Sequence, residues 1–211
     1  MGTTCIPFVL GPLENNTYLI VDTETNEAVV VDPSFESEIV LAEIRQQGWR
    51  LTQVWLTHAH FDHMAGVSTI AESTTPPLPV GLHPGDLILW KQFGGAPPFG
   101  IKIERGPEPS LYFSHGQLLQ LGKTSFEVRH TPGHTRGHVV FVCHAAGFVL
   151  CGDLIFKGSV GRTDLPGGDT GRLMNSIRSQ ILNLPQATRL YSGHGPETTV
   201  GEEIKSNPFL I

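Results

Sequence analysis

Cysteine is scarce in this chain. There are three, Cys5, Cys143 and Cys151, far apart and never in a CxxC pair. That spacing excludes a disulfide framework and a thiolate metal site, and it suits free thiols in a reducing compartment, so a cytoplasmic location is expected. Long apolar runs are missing too: no stretch is long enough for a transmembrane helix, and Met1 to Leu10 lacks the basic start and apolar centre of a signal peptide. Positive charge is short, with 14 Lys and Arg against 20 Asp and Glu and a formal net charge of -6. The cations are scattered, which argues against nucleic acid or an anionic membrane as partner. Hydrophobic residues at 39% and charged residues at 16% exclude a disordered composition.

What is present is a chain of 211 residues, enough for one domain, taken here as residues 1–211, with a sizeable core. Its 24 Gly and 16 Pro predict many tight turns and loops. Short apolar or β-branched runs at Ile6–Leu10, Thr17–Val21 and Ala28–Val31 read as a strand meander. A helix is expected from the Ser34–Ser37 cap region to Gly48, through Ile39, Val40 and Ile44. Leu51–Leu56 reads as a buried strand, Val67–Glu72 as a short helix and Val80–His83 as a short strand. Residues 91–110 are Gly- and Pro-rich without a period, which suggests an irregular insertion and a candidate substrate loop. Strands are expected again at Leu118–Leu121, Ser125–His130, Val139–Cys143 and Phe148–Cys151. A helix at Leu173–Leu184, a strand at Arg189–Ser192 and a short helix from Val200 complete the pattern. Strands followed by helices, twice, suggest two packed sheets with helices outside.

Ten histidines stand out, and their spacing carries the chemistry. In His58-x-His60-x-Asp62-His63, directly after a buried strand, residues two apart on extended chain point the same way, so His58 and His60 can reach one ion. Asp62 and His63 follow where the chain turns, and can face a second ion. His134, Asp153 and His194 each sit beside glycine after a predicted strand, where the backbone can turn sharply. One Gly-His or Gly-Asp alone is more often a turn; four such places at equivalent strand ends belong together. Imidazole and carboxylate suit zinc, iron or manganese, with zinc the first expectation. A structural zinc site needs four ligands, and seven candidates around one carboxylate exceed that.

This set resembles the metallo-β-lactamase superfamily over essentially the whole chain. Within it the chain is most similar to glyoxalase II-like hydrolases of the short, single-domain bacterial hydroxyacylglutathione hydrolase type. The narrower likeness rests on Phe156–Asp164 (FKGSVGRTD), Leu165–Asp169 (LPGGD), and the ending Gly193–Thr199 (GHGPETT) with Asn207-Pro208-Phe209. The resemblance implies an α/β fold, the αββα sandwich, with the site at one edge of both sheets. It implies two divalent metal ions, one held by His58, His60, His134 and Asp153, the other by Asp62, His63, His194 and Asp153. Asp153 would bridge, and Asp62 would also orient a metal-bridging hydroxide. It further implies that Arg162 contacts the anionic part of the substrate; otherwise Arg162 pairs with Asp164 or Asp169. The longer glyoxalase II enzymes carry a tyrosine where this chain has Asp164, and a C-terminal helical domain that supplies glutathione contacts.

The expected reaction is hydrolysis of an anionic small-molecule thioester such as S-D-lactoylglutathione. Two cations sharing a water lower its pKa far below that of bulk water. A thioester expels a thiolate, whose conjugate acid has a pKa near about 8.5, so no strong general acid is needed. The alternatives are a persulfide dioxygenase using one iron and oxygen, since those enzymes share a Gly-Arg-Thr-Asp stretch like Gly161–Asp164, and a lactonase or β-lactamase that opens a ring. Of the other histidines, His130 and His138 flank the His134 turn as supports or as packing or strand residues, and His83, His115 and His144 are expected at the surface or in loops. Trp49, Trp55 and Trp90 are expected to be core or partly buried.

Overall fold

Alternate residues of the central strands face different layers, and that alternation builds the molecule. The computed structural model describes residues 2–210. The first sheet runs in chain order: β1 (Thr3–Leu10), β2 (Asn15–Asp22), β3 (Glu27–Val31), β4 (Arg50–Trp55), β5 (Val80–Leu82) and β6 (Leu111–Tyr112). Its first three strands are antiparallel, and β3 to β6 are parallel. The second sheet has the order β14-β13-β10-β9-β8-β7, formed by β7 (Leu118–Leu121), β8 (Thr124–His130), β9 (Val139–Cys143), β10 (Phe148–Gly152), β13 (Arg189–Ser192) and β14 (Thr198–Thr199). A small ribbon of β11 (Ile155–Phe156) and β12 (Ser159–Val160) lies between β10 and β13 in the chain.

In β2, Tyr18 and Ile20 join a core between the sheets, while Leu19 and Val21 join a core under the outer helices. In β9 and β10, Phe141 and Phe148 face the same inter-sheet core, while Val140, Val142 and Val149 face the opposite helical layer. Strands buried on both faces read as continuous apolar runs, which is how β3, β9 and β10 read in the sequence. The outer layer on the first sheet consists of α1 (Glu38–Gln47), α2 (Phe61–Met64), α3 (Val67–Ala71) and α4 (Leu87–Lys91), which contribute Val40, Met64, Ile70 and Trp90 to its core. The layer on the second sheet consists of α5 (Thr170–Ser176) and α6 (Val200–Ser206), contributing Leu173 and Val200. The result is the αββα sandwich of the metallo-β-lactamase fold.

Most elements lie where the sequence places them. The first helix starts at Glu38, after Ser37, and stops at Gly48, whose φ of 71° is the left-handed cap that glycine adopts without strain. The helix expected over Leu173–Leu184 begins at Thr170, because the Asp169 side chain accepts the Arg172 N–H at 2.9 Å. It then widens into a π-helical stretch over Ile177–Ile181. The 91–110 segment is irregular as expected, with a left-handed turn at Phe93–Gly95 and a 3-10 turn at Pro97–Phe99. Among the described residues, no helix is long and apolar enough to cross a membrane.

Candidate metal centre

Four strand ends of the two sheets converge. β4 leads into Leu56-Thr57-His58, β8 into the turn that carries His134, β10 into Asp153, and β13 into His194. The Val139 N–H donates to the Thr57 carbonyl at 2.8 Å and the Asn16 N–H to the Gly193 carbonyl at 2.7 Å, so the backbones of the two sheets are stitched together here. All seven expected ligands are brought to this edge, and six are buried, with His194 intermediate.

They form two groups. One nitrogen each from His58, His60 and His134 lies within 4.8 Å of the others, and so does one donor each from Asp62, His63 and His194. Asp153 stands between the groups: its Oδ1 is 3.3 Å from His63 Nε2, and its Oδ2 is 3.6 Å from His134 Nε2 and 3.7 Å from His194 Nε2. Gly193 makes this approach possible, because a Cβ at that position would run into Asp153 Oδ1 and the His63 ring.

Four of the five rings are aimed by their other nitrogen, while His60 Nδ1 lies 2.8 Å from His134 Nε2 inside the group. His134 Nδ1 donates to the Arg162 carbonyl at 2.8 Å, and His194 Nδ1 to the Leu13 carbonyl at 3.0 Å. The Thr57 hydroxyl donates to Asp32 Oδ2 at 2.6 Å, so it accepts from His58 Nδ1 at 3.0 Å. His63 Nδ1 donates to the same Asp32 Oδ2 at 3.0 Å. The inward nitrogens are thereby left as acceptors. His58 Nε2, His63 Nε2 and Asp153 Oδ1 are buried without a hydrogen-bond partner. His63 Nε2 and Asp153 Oδ1, 3.3 Å apart, need a proton or a metal ion between them. A hard or borderline divalent ion fits this nitrogen and carboxylate set.

The electrostatics divide the rings: His58 and His60 are held neutral, while against burial the carboxylates favour a positive charge on His63 and His194 that a metal ion would replace. Burial, reinforced by the neighbouring histidines, holds His58 well below the ordinary histidine range. Burial, then His134, brings His60 down to about 3. Both rings are thus in the neutral, ligating form. Burial disfavours charge on His63 and on Asp153, yet each overcomes it for the other: Asp153, Asp62 and Asp32 lift the His63 pKa, while His63, His134 and His194 hold the Asp153 carboxyl well below its usual range.

Several supports escape a reading of motifs. Asp32, at the end of β3, accepts from the Thr57 N–H, the Thr57 hydroxyl and His63, so its oxygens orient the site rather than remaining free to ligate. Asp86 accepts from the Ala59 N–H, the Thr135 hydroxyl and the Gly137 N–H, and so ties the His58–His60 loop to the His134 turn. Asn16 holds the His194 loop through the Ser192 and Gly195 carbonyls at 2.9 and 2.8 Å. The sequence signal for Asp32 was an acidic residue closing an apolar strand; Asp86 and Asn16 carried none. His138 is a support: its Nε2 accepts the Asp153 N–H at 3.1 Å, and its Nδ1 donates to Thr131 at 2.9 Å. His83 lies in the loop after β5, half-buried and stacked on His130, with ring centroids 4.1 Å apart. Arg162 lends its carbonyl to His134, while its exposed guanidinium forms a two-bond fork with Asp164, both bonds 2.8 Å long.

The pattern of the metallo-β-lactamase superfamily matches residues 10–194, and the chain belongs to that superfamily as a metal-dependent hydrolase. Hydroxyacylglutathione hydrolase GloC of Haemophilus influenzae is 35% identical over 199 residues, covering 93% of this chain and 93% of its own. The crystal structure of BLEG-1 B3 metallo-β-lactamase has a TM-score of 0.91 at 34% identity, covering 98% of this chain and 99% of that one. TTHA1623 in a di-iron-bound form has a TM-score of 0.88 at 42% identity, covering 97% and 100%.

Proposed function

We propose that the chain is a dinuclear thioesterase of the hydroxyacylglutathione hydrolase type, acting on S-acylglutathione substrates such as S-D-lactoylglutathione. The observation that carries the reading is the position of Asp153, with one oxygen toward His63 and the other toward His134 and His194. In this reading His58, His60, His134 and Asp153 hold one ion, and Asp62, His63, His194 and Asp153 the other. Two divalent ions held there supply Lewis acidity, which makes water a nucleophile near neutral pH and polarises the substrate carbonyl.

The chain's own groups do the rest. The neutral His58 and His60 offer lone pairs without releasing a proton at working pH. Asp62 Oδ2, 3.2 Å from His194 Nε2 and 3.7 Å from His63 Nε2, is the carboxylate we assign to hold a proton of the attacking water. The Asp32–Thr57 pair keeps His58 and His63 from rotating. Arg162 is the proposed contact for the anionic end of the substrate; its exposed pair with Asp164 is weak in water, so an incoming anion can exchange with it. A thiolate leaves without a strong acid, which favours a thioester over an amide. Similarity to GloC supports the substrate class. Zinc is the first metal to try, and the di-iron form of TTHA1623 makes iron the second.

The test is thioester loss from S-D-lactoylglutathione by protein loaded with zinc, iron or manganese, beside Asp153→Ala. Rapid loss that the substitution abolishes is expected. Inactivity with every metal overturns the assignment. The likeness to BLEG-1 favours one second reading, ring opening, and faster cleavage of a β-lactam or lactone than of the thioester would establish it. Oxygen uptake on glutathione persulfide with one iron per chain would instead indicate a dioxygenase.

A further inference from the structure

The geometry points to an aromatic wall on the 91–110 insertion that receives the apolar acyl substituent of the substrate, with Phe99 as the residue that sets acyl specificity. Phe61 stands in the chain between His60 and Asp62, two of the candidate ligands. Its ring lies 6.5 Å from Phe35, edge-on, and 5.9 Å from Phe99, tilted by 44°. This ladder therefore runs from the metal motif outward, and its far end, Phe99, is 60% exposed.

The insertion is seated directly on the metal loop. Gly94 is buried, and a Cβ there would collide with the Phe61 backbone and crowd the Ala59 carbonyl. Phe93, Gly94 and Gly95 have φ values of 56°, 62° and 76°, three left-handed residues in a row. A phenylalanine in that region is held there only when its surroundings demand it, and such residues gather at ligand sites. The consequence is that the two exposed rings are placed differently. Phe93 is covered by Arg105, whose guanidinium carbon sits 5.0 Å over the ring. Among the described residues no cation covers Phe99, which presents an open π-surface at the end of the ladder.

One aromatic ring suits a small apolar group, not a macromolecule: a stable protein interface needs roughly 800 Å² from each partner. Aryl groups stack or pack edge-on against such a ring. The occupant is accordingly an aryl or branched acyl substituent of the thioester whose carbonyl lies at the metal centre. This assignment rests on the thioesterase reading, and two experiments separate the two.

In the first, metal-loaded wild type and Phe99→Ala are compared on S-mandeloylglutathione and S-lactoylglutathione. The ratio of kcat/KM for the aryl over the lactoyl thioester is expected to fall roughly two- to tenfold in Phe99→Ala, mainly through KM, and to recover in Phe99→Tyr. A ratio unchanged by Phe99→Ala overturns the wall. In the second, an S-benzyl thioether, which cannot be hydrolysed, is titrated into protein carrying 13C-labelled phenylalanine. Shifts at the Phe61 and Phe99 resonances are expected, with the Phe61 shift lost in Phe99→Ala. An absence of shifts overturns the wall. Shifts without hydrolysis of any thioester would sink the reaction and keep the wall.

Discussion

Asp32 touches no reacting atom in the proposed chemistry, yet two candidate ligands depend on it. It accepts from Thr57, which orients His58, and directly from His63. Such outer carboxylates commonly contribute about 10- to 100-fold in metal affinity. Asp32→Ala is therefore expected to weaken binding of at least one ion by that factor, measured by competition with a chromophoric chelator. Unchanged affinity would show that packing alone aims the two rings. The carboxylate could not be recognised as a support from its own segment. Only the return of the chain at Thr57 and His63, 25 and 31 residues later, gives it partners.

At the scale of elements, the site depends on clasps between strands that are remote in the chain. His83 follows β5 of the first sheet and stacks on His130 at the end of β8 in the second, with the rings 11° from parallel. His83 Nδ1 also accepts the Gly85 N–H at 3.0 Å, at the start of the turn that presents Asp86 to the metal loops. Burial, with His130 adding to it, pushes the His83 pKa down to about 4. Its folded value is thus below the unfolded value of about 6.5. The neutral ring contributes fully above the unfolded value, and its contribution is lost as pH falls from about 6.5 toward about 4. His83→Asn keeps an acceptor for Gly85 without the titration. Between pH 7 and pH 5 the urea midpoint of wild type is expected to drop more than that of His83→Asn. Equal drops would mean that the clasp does not titrate. A second clasp explains the end of the chain. The Glu203 carboxylate in α6 accepts from the Gly158 N–H, the Thr198 hydroxyl and the Asn207 side chain, while Asn207 also donates to the Ser159 carbonyl. Asn207 of the Asn207-Pro208-Phe209 motif thus braces the β11–β12 ribbon, just before the Gly161–Arg162 stretch that aims His134.

Across the whole molecule, three apolar cores hold four layers, and the metal centre sits at the rim where the two sheets meet. The cores do not need the ions to form, so chelation is expected to leave the secondary structure in place. It should nevertheless lower Tm, because the ions bind the folded chain and relieve buried, unpartnered acceptors. With both ions at about 100 times their Kd, the fall should be roughly 10–20 °C for a chain of this size, read by calorimetry and reversed by restoring metal. A Tm unchanged after verified removal of the ions would mean that the rim is not coupled to the sandwich.

The sequence by itself determined the layers and the set of candidate ligands. Apolar runs at β2, β3, β9 and β10, and glycine beside His134, Asp153 and His194, are local properties, written within a few residues and readable there. The tertiary structure decided what depends on contacts between distant segments. It placed the two Asp153 oxygens between the two donor groups. It made Asp32, Asp86 and Asn16 supports, turned His138 toward the Asp153 backbone, and set Phe99 at the end of a ladder that begins beside His60. A hydrogen bond or a ring contact belongs to two residues at once, and spacing in a sequence fixes the position of only one.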